Sequence, residues 1–372
     1  MIIAVNTRLN KETQPQGYEE FLFELLRHLA GNYPEHQFIY IFDRPYNSKQ
    51  TFAKNVLTID AGPKTSNSLR LQYWFNYRIP AILRKHKADV FLSMEGICSL
   101  RTKVPQCLMF TNLDFLNHPQ LLKRSQLSFY KKLTPAFLAK AKSIATASNF
   151  SRSLICDQYK TDAEKIAVIH PAIDNAFKPI GWEEKELIKE KYADGKAYFL
   201  FSGDINQYSN FINLLKAFTF FKKRQKSSML LLIAGTVDEN FKTALRTYKL
   251  RDEVKLLEDL SKEDLAKITA AAYAMVHPVM YADLSLPVLQ AMKCGVPVIT
   301  ADTAALSSAF GKAALYANPD DHENIAQNMM LVFKDEDKAN ELVKAGSELL
   351  QKYQSGKTID LLMDCILKAV NS

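Results

Sequence analysis

Two successive series of short apolar runs, separated by helix-length segments, constrain this 372-residue chain more than any other feature. In the first half the strand-like runs fall at Ile2–Val5, Phe38–Phe42, Val56–Ile59, Val90–Leu92, Cys107–Phe110, Ile144–Ala147 and Ala167–Ile169. Segments such as Gly17–Leu29, Arg70–Lys85 and Ser125–Ala141 have the length of crossover helices. After Pro171 and Pro179 the composition turns polar through Trp182–Lys191, which reads as a linker and its first helix. Strand-like runs then resume at Tyr198–Phe201, Met229–Ala234, Val254–Leu257, Ala274–His277, Val298–Thr300 and Ala314–Tyr316. A β/α alternation that restarts in this way predicts two parallel-sheet α/β domains rather than one large one. The expected boundaries are 1–178 and 179–354, followed by 355–372. That last segment carries Ile359, Leu362, Met363, Ile366 and Leu367 at helical spacing within Thr358–Val370.

Composition narrows the function classes. A 47% hydrophobic chain of this length can fill two cores. It has no apolar run long enough to span a membrane and no basic leader before an apolar core, so a soluble cytoplasmic protein is expected. The five scattered cysteines (Cys98, Cys107, Cys156, Cys294, Cys365) suggest neither a disulfide framework nor a zinc site, and no histidine pair has metal-ligand spacing. Lys and Arg number 48 against 40 Asp and Glu, an excess of eight that favours anionic partners such as nucleotide phosphates or acidic lipid headgroups. The short basic run Lys222–Lys226 has no accompanying nucleic-acid motif, so nucleic acid is not an expected partner. No Gly-x-Ser-x-Gly elbow follows a strand, which removes the corresponding hydrolase class.

The stretch Tyr281 to Thr300, YADLSLPVLQAMKCGVPVIT, carries the functional signal. Leu286, Leu289 and Met292 fall near helical spacing, Gly295 ends that helix at low steric cost, and Pro297–Thr300 reads as a buried strand. This segment resembles the retaining GT-B glycosyltransferases of family four, of the group one type. Leu286, Pro287, Ala291, Met292, Cys294, Gly295, Val296 and Pro297 follow that family's pattern. The resemblance extends over nearly the whole chain. It implies an α/β GT-B architecture of two Rossmann-like domains facing a central cleft, with the C-terminal helix crossing back to the N-terminal domain. It further implies no bound cofactor but a nucleotide-sugar donor, UDP- or GDP-linked, and a glycan or lipid-linked acceptor.

At the positions that the resemblance marks as functional, the charges are missing. The family's two glutamates, eight positions apart, correspond to Ala282 and Gln290; the first contacts donor-sugar hydroxyls in relatives and the second holds the ribose. The Arg-Lys pair that neutralises the leaving diphosphate corresponds to Tyr208 and Ser209, ahead of Asn210. A His-Asp pair corresponds to Thr111 and Asn112, and a later Pro-Glu to Ser307 and Ser308. Gly17 is retained in the first glycine turn, where Glu19 and Glu20 follow, and Gly203 in the turn after Tyr198–Phe201. The nucleotide-sugar-binding candidates are therefore Gly17, Gly203, Tyr208, Ser209, Asn210, Ser285, Leu286 and Gln290, with no confident catalytic residue and no metal ligand. Purely structural roles are the competing expectation: Gly203 as a tight turn, Asn210 as a helix cap, Glu19 and Glu20 as complements of a helix dipole, and Ser148 as a cap with Arg152 toward the cleft. Asp114 and His118 lie together in a loop without an assigned role.

Two functions fit this pattern. One is a glycosyltransferase of surface polysaccharide or lipopolysaccharide assembly with a weakened donor site, in peripheral contact with an anionic membrane. The other is a non-catalytic homologue that binds a sugar, a lipid-linked intermediate or a partner glycosyltransferase and scaffolds or regulates it. Loss of two charge-assisted hydrogen bonds costs roughly 3 to 6 kcal/mol, enough to separate the two behaviours experimentally.

Overall fold

The computed structural model describes residues 1–8, 18–45, 52–62, 64–65, 67–110, 113–203, 205, 209–237, 239–247, 250, 252–280, 284–353 and 355–372, with backbone alone at 18–23, 114, 121, 239, 242, 246, 355 and 356. The chain divides into two compact units, Met1–His170 with Gly356–Ser372, and Pro171–Ser355.

The first unit is a seven-stranded parallel sheet of β1 (Ile2–Asn6), β2 (Gln37–Phe42), β3 (Val56–Asp60), β4 (Val90–Ser93), β5 (Gln106–Phe110), β6 (Ser143–Thr146) and β7 (Ile166–Val168) in the order β3-β2-β1-β4-β5-β6-β7. Its helices up to residue 170 are α1 (Tyr18–Asn32), α2 (Ser68–Tyr73), α3 (Ile79–Lys85), α4 (Asp114–Asn117), α5 (Arg124–Lys140) and α6 (Asn149–Tyr159). Central strands covered on both faces read as uninterrupted apolar runs, which is why Ile3–Val5, Val90–Leu92 and Cys107–Phe110 are fully or almost fully buried. The two faces belong to separate apolar clusters: Ile3, Val5, Leu26 and Phe38 on one side, Ala4, Ile39, Trp74 and Phe91 on the other.

The segment expected as one helix over Arg70–Lys85 is instead α2, a π-helical turn at Trp74–Arg78, and α3. Pro80, at the start of α3, has no amide hydrogen to give the carbonyl of Asn76, so the α-helical ladder is interrupted there. The Asn76 side chain accepts from the backbone of Leu100 at 2.9 Å and holds the turn in place.

The second unit begins with α7 (Trp182–Ala193) and contains a six-stranded parallel sheet of β8 (Tyr198–Ser202), β9 (Leu230–Ala234), β10 (Val254–Leu257), β11 (Ala274–His277), β12 (Val298–Ala301) and β13 (Leu315–Ala317), ordered β10-β9-β8-β11-β12-β13. Its remaining helices are α8 (Phe211–Gln225), α9 (Glu239–Thr247), α10 (Lys262–Ala271), α11 (Leu286–Lys293), α12 (Ala304–Phe310), α13 (His322–Lys334) and α14 (Glu336–Leu350). Gly295 leaves α11 at φ +71, a left-handed position that lets the chain turn directly into β12.

The closing helix α15 (Ser355–Val370) starts three residues earlier than its apolar pattern suggests and belongs to the first unit. Ile359, Leu362, Met363 and Ile366 join the cluster of Ile3, Val5 and Phe38. Thr358 Oγ1 donates to the His170 carbonyl at 2.9 Å, and Ser143 Oγ donates to the Cys365 carbonyl at 2.6 Å.

Candidate functional site

In each sheet the strand order reverses direction once, between β1 and β4 in the first unit and between β8 and β11 in the second. Open parallel sheets bind ligands outside the carboxyl ends of the strands at such a reversal, because the connections diverge there and leave a crevice. Gly203 and Asn210, after β8, and Ser285, after β11, lie in the connections that flank the second of these points.

In the second unit, Gly203 follows β8 at φ +134, a backbone conformation that favours glycine. Its amide donates to the Ala234 carbonyl at 2.9 Å and that of Ile205 to the Thr236 carbonyl at 2.8 Å, so these two N–H groups tie the loop to the end of β9. Asn210 takes the N-cap position of α8 in a left-handed conformation, but its side chain does not cap the helix. Its amide nitrogen instead donates to the Pro278 carbonyl at 3.1 Å and the Pro319 carbonyl at 2.7 Å, and Asn213 reinforces this by donating to Asn210 Oδ1 and Pro319 O. The expected capping role is thus corrected: Asn210 links the loops after β8, β11 and β13. The first amides of α8 keep the orientation in which a helix N-terminus meets an anion.

Across the reversal, β11 ends in His277, whose ring is buried and stacks on Phe201 with centroids 5.3 Å apart. Burial holds its pKa down to about 4, so the ring is neutral at physiological pH. Its Nδ1 lies 3.4 Å from Ser285 Oγ, which also accepts from Val288 N at 3.5 Å as the N-cap of α11. Ser285 is consequently occupied as a cap, as the competing structural reading anticipated for other serines. Leu286 and Gln290 are half-buried, and the Gln290 amide makes no hydrogen bond to a described residue. Ser209 is buried, while Tyr208 and Ala282 lie outside the described residues. Ser307 Oγ donates back to the Thr303 carbonyl at 2.8 Å, a local helix contact, and Ser308 is exposed.

In sequence, the connections on this edge are one-sided in charge. The six segments that join β8 through β13 to the helices following them contain no lysine or arginine. They contain Asp204 and Asp238, Glu258 and Asp259, Asp283, Asp302, and Asp320 with Asp321. Lys293, at the end of α11, is drawn away by the carbonyls of Ile173 and Asp174 at 2.8 and 3.0 Å. Lys262, which opens α10, pairs with Asp174 at 2.9 Å.

In the first unit the reversal holds a polar group that no motif announced. Arg8, just past β1, is buried and its Nε donates to Glu95, just past β4, at 2.8 Å; the pair is 5% and 7% exposed. Asn6 Nδ2 donates to the same carboxylate oxygen at 3.1 Å, and Arg8 Nη1 donates to Thr65 Oγ1 at 3.1 Å. Thr65 Oγ1 donates in turn to Asp43 at 2.7 Å. Burial opposes the Arg8 charge, yet Glu95 outweighs it and the guanidinium pKa rises. Burial, with the Glu95 charge next, pushes the nearby Tyr130 hydroxyl up to about 12. The buried hydroxyls of Thr7 and Ser93, at the ends of the same two strands, have no partner among the described residues. The available sequence signal was an ionisable residue three positions past the end of each of two apolar runs, in IIAVNTR and VFLSME.

The remaining first-unit candidates are Gly17, Thr111 and Asn112, all outside the described residues. Glu19 and Glu20 fall in the first turn of α1. Ser148 caps α6 by accepting from Ser151 N, as expected. The Arg152 guanidinium donates to the Ala163 carbonyl at 2.8 Å, in the turn after its own helix. Asp114 opens α4 and His118 precedes a short 3-10 turn. Among the described residues no group of three or more His, Cys, Asp or Glu is arranged to hold a metal ion.

Comparison with known proteins gives this geometry a context. A family model described as "Glycosyl transferases group 1" matches residues 183–349, and one described as "Glycosyltransferase Family 4" matches residues 15–177. "O-antigen chain mannosyltransferase B" of Escherichia coli is 26% identical over 231 residues, 61% of this chain and 61% of that protein. The matched region thus falls short of two thirds of that relative's length. Among solved structures, WaaG, "a glycosyltransferase involved in lipopolysaccharide biosynthesis", superimposes with a TM-score of 0.79 at 13% identity, covering 98% of this chain and 99% of that one. Anabaena Alr3699/HepE in complex with UDP-glucose does so with a TM-score of 0.75 at 13% identity, covering 98% of each. At such identities these two establish the fold alone.

Proposed function

Because this chain belongs to the group 1 glycosyltransferases of family 4, we propose that it is a cytoplasmic component of surface-polysaccharide or lipopolysaccharide assembly whose second unit holds a UDP- or GDP-sugar weakly and transfers the sugar slowly or not at all. The observation that carries this reading is the sequence of the six connections that follow the strands of the second sheet, which holds eight acidic residues and no basic one. Departure of a nucleoside diphosphate needs positive charge aimed at the developing anion. Here the start of α8, without a side-chain cap, is left to supply it through backbone partial charges, with no Lys or Arg in the connections beside it to help. Gln290 retains an amide suited to a ribose hydroxyl, so recognition of the nucleoside outlasts stabilisation of its diphosphate.

A second reading, a non-catalytic scaffold for a partner glycosyltransferase or a lipid-linked sugar, draws support from the same acidic connections together with the internal use of Asn210, Ser285 and the Gly203 amide. Titration calorimetry and thermal-shift measurements with UDP, GDP, UDP-glucose and GDP-mannose separate the two, since a ligand selective for the folded state raises its stability. Weak binding, on the order of millimolar and reduced further by Gln290→Ala, supports the donor-binding reading. Silence throughout the series supports the scaffold. Micromolar binding with rapid sugar transfer would overturn both.

A further inference from the structure

The five cysteines are scattered in sequence and all are free thiols, yet two of them meet inside the first unit. Cys107 lies on β5 and Cys365 on α15, and their Sγ atoms are 3.5 Å apart across 258 positions of sequence. Both are buried in the apolar cluster that also holds Ile3, Val5 and Leu362. Cys107 Sγ donates to Cys365 Sγ, which donates in turn to the Ile144 carbonyl at 3.5 Å. The other thiols are placed differently. Cys98 donates to the Phe137 carbonyl at 3.6 Å, Cys294 donates to the Ala266 carbonyl at 3.8 Å, and Cys156 is half-buried on α6.

The fold also makes the two thiols unequal. In the parallel register Cys107 stands beside Ser143 of β6, and the Ser143 hydroxyl fixes the backbone of α15 at the Cys365 carbonyl. The hydrogen bond from Cys107, helped by Ser143 and the Lys368 charge, lowers the Cys365 pKa against burial and the Asp364 charge. The same bond, with burial, raises that of Cys107. A thiolate is the attacking form, so Cys365 is the nucleophile of the pair and Cys107 its resolving partner. Local opening of α15 admits a molecule as small as a peroxide.

We propose that Cys107 and Cys365 form a redox latch, in which hydrogen peroxide closes a disulfide between β5 and α15 and a thiol reductant opens it. The Cys365 thiolate attacks one peroxide oxygen and breaks the O–O bond, leaving a sulfenic acid and a hydroxide that takes up the proton Cys365 has lost. The Cys107 sulfur then attacks the Cys365 sulfur, the S–S bond forms, and the sulfenic oxygen leaves as water with the Cys107 proton. Each sulfur gives up one electron, and the peroxide is reduced to two waters. Closure brings the sulfur atoms from 3.5 Å to a bond length of about 2.0 Å. The bond fastens the closing helix to the sheet and encloses the whole of Pro171–Ser355 in its loop. A long closed loop restricts the unfolded chain far more than the folded one, so oxidation stabilises the first unit. None of the nucleotide-sugar-binding candidates takes part.

The test is exposure of the folded full-length chain to hydrogen peroxide, followed by alkylation in denaturant and peptide mapping without reductant. The expected result is loss of two of the five thiols, a single linked pair of peptides carrying Cys107 and Cys365, and recovery of all five on adding dithiothreitol. Hydrogen-exchange protection of β1, β4 and β5 should rise about ten-fold or more on oxidation and return on reduction, while that of β8 and β9 stays unchanged. Cys365→Ser should abolish both effects and Cys98→Ser should keep them. Where Cys365→Ser does not fold, the map and exchange of the wild-type chain decide alone. The proposal is overturned by five free thiols after treatment, or by a bridge to Cys98, Cys156 or Cys294. It is equally overturned by sulfinic acid at Cys365 with Cys107 still free, or by a Cys107–Cys365 bond that leaves protection of the first unit unchanged.

Discussion

His277 shows how a single buried side chain acquires a pH dependence that no motif records. Burial lowers its pKa from 6.5 to about 4, so the folded chain resists a proton that the unfolded chain accepts. The contribution to stability is complete above about pH 6.5, declines as pH falls, and by pH 4 approaches a loss of about 3 kcal/mol. His277→Phe keeps a ring to stack on Phe201, so its melting temperature should fall less between pH 7 and pH 4.5 than that of wild type; a parallel fall in both would place the acid sensitivity elsewhere. Arg8 and Glu95 make the complementary case. Removing one member of a buried pair strands the other, so Arg8→Met should cost about 3 to 5 kcal/mol in urea unfolding, and Arg8→Met/Glu95→Leu should recover much of it. These residues also mark where sequence reading ended. The caps at Ser148 and Ser285 are local, with the donor three positions away, whereas Arg8 meets Glu95 across 87 positions and Asn210 meets Pro319 across 109. Only the sheet order brings such partners together.

At the scale of elements, the strands were the most legible part because buried parallel strands need apolar residues on both faces, and thirteen short apolar runs became thirteen strands. Helices were legible in position but not in detail. The segment 68–85 has one continuous apolar pattern, yet the absence of an amide at Pro80 produces a π turn that periodicity does not encode. Gly295 was readable as the end of α11, and its conformation gives a prediction. A Cβ there would meet Pro179 and Val343 at ordinary distances of 3.8 and 3.9 Å, so space is not the obstacle. The positive φ is: Gly295→Ala should destabilise the chain by about 1 to 2 kcal/mol. Gly31→Ala, in α1 with nothing within 4 Å of the added atom, should by contrast be neutral or stabilising by up to about 1 kcal/mol. Urea midpoints of the two variants relative to wild type measure the difference, and an equal shift would remove conformation as the cause.

For the whole molecule, the order of elements along the chain differs from their grouping in space. Residues 356–372 follow the entire second unit yet complete the core of the first, where Leu362, Met363, Ile366 and Ala369 are buried beside Ile3, Val5 and Phe38. The apolar spacing of this helix showed that it must bury one face, but the face's destination came only from the resemblance to a family. Spacing specifies a stripe and not its partner. The second unit, by comparison, draws both of its apolar clusters from residues 173–353. Deleting residues 355–372 should therefore act on the two units unequally. Burial of four such side chains at about 1.5 to 3 kcal/mol each is comparable to the stability of a whole domain, so the first unit should lose cooperative unfolding. The second should keep it, and residues 171–355 expressed alone should melt as a single transition. Hydrogen exchange on the truncated chain provides the measurement: protection lost across β1, β2 and β4 with that of β8, β9 and β11 retained is the expected pattern. Uniform loss in both sheets would mean that the units depend on each other for folding, and that the division of the cores does not set the division of stability.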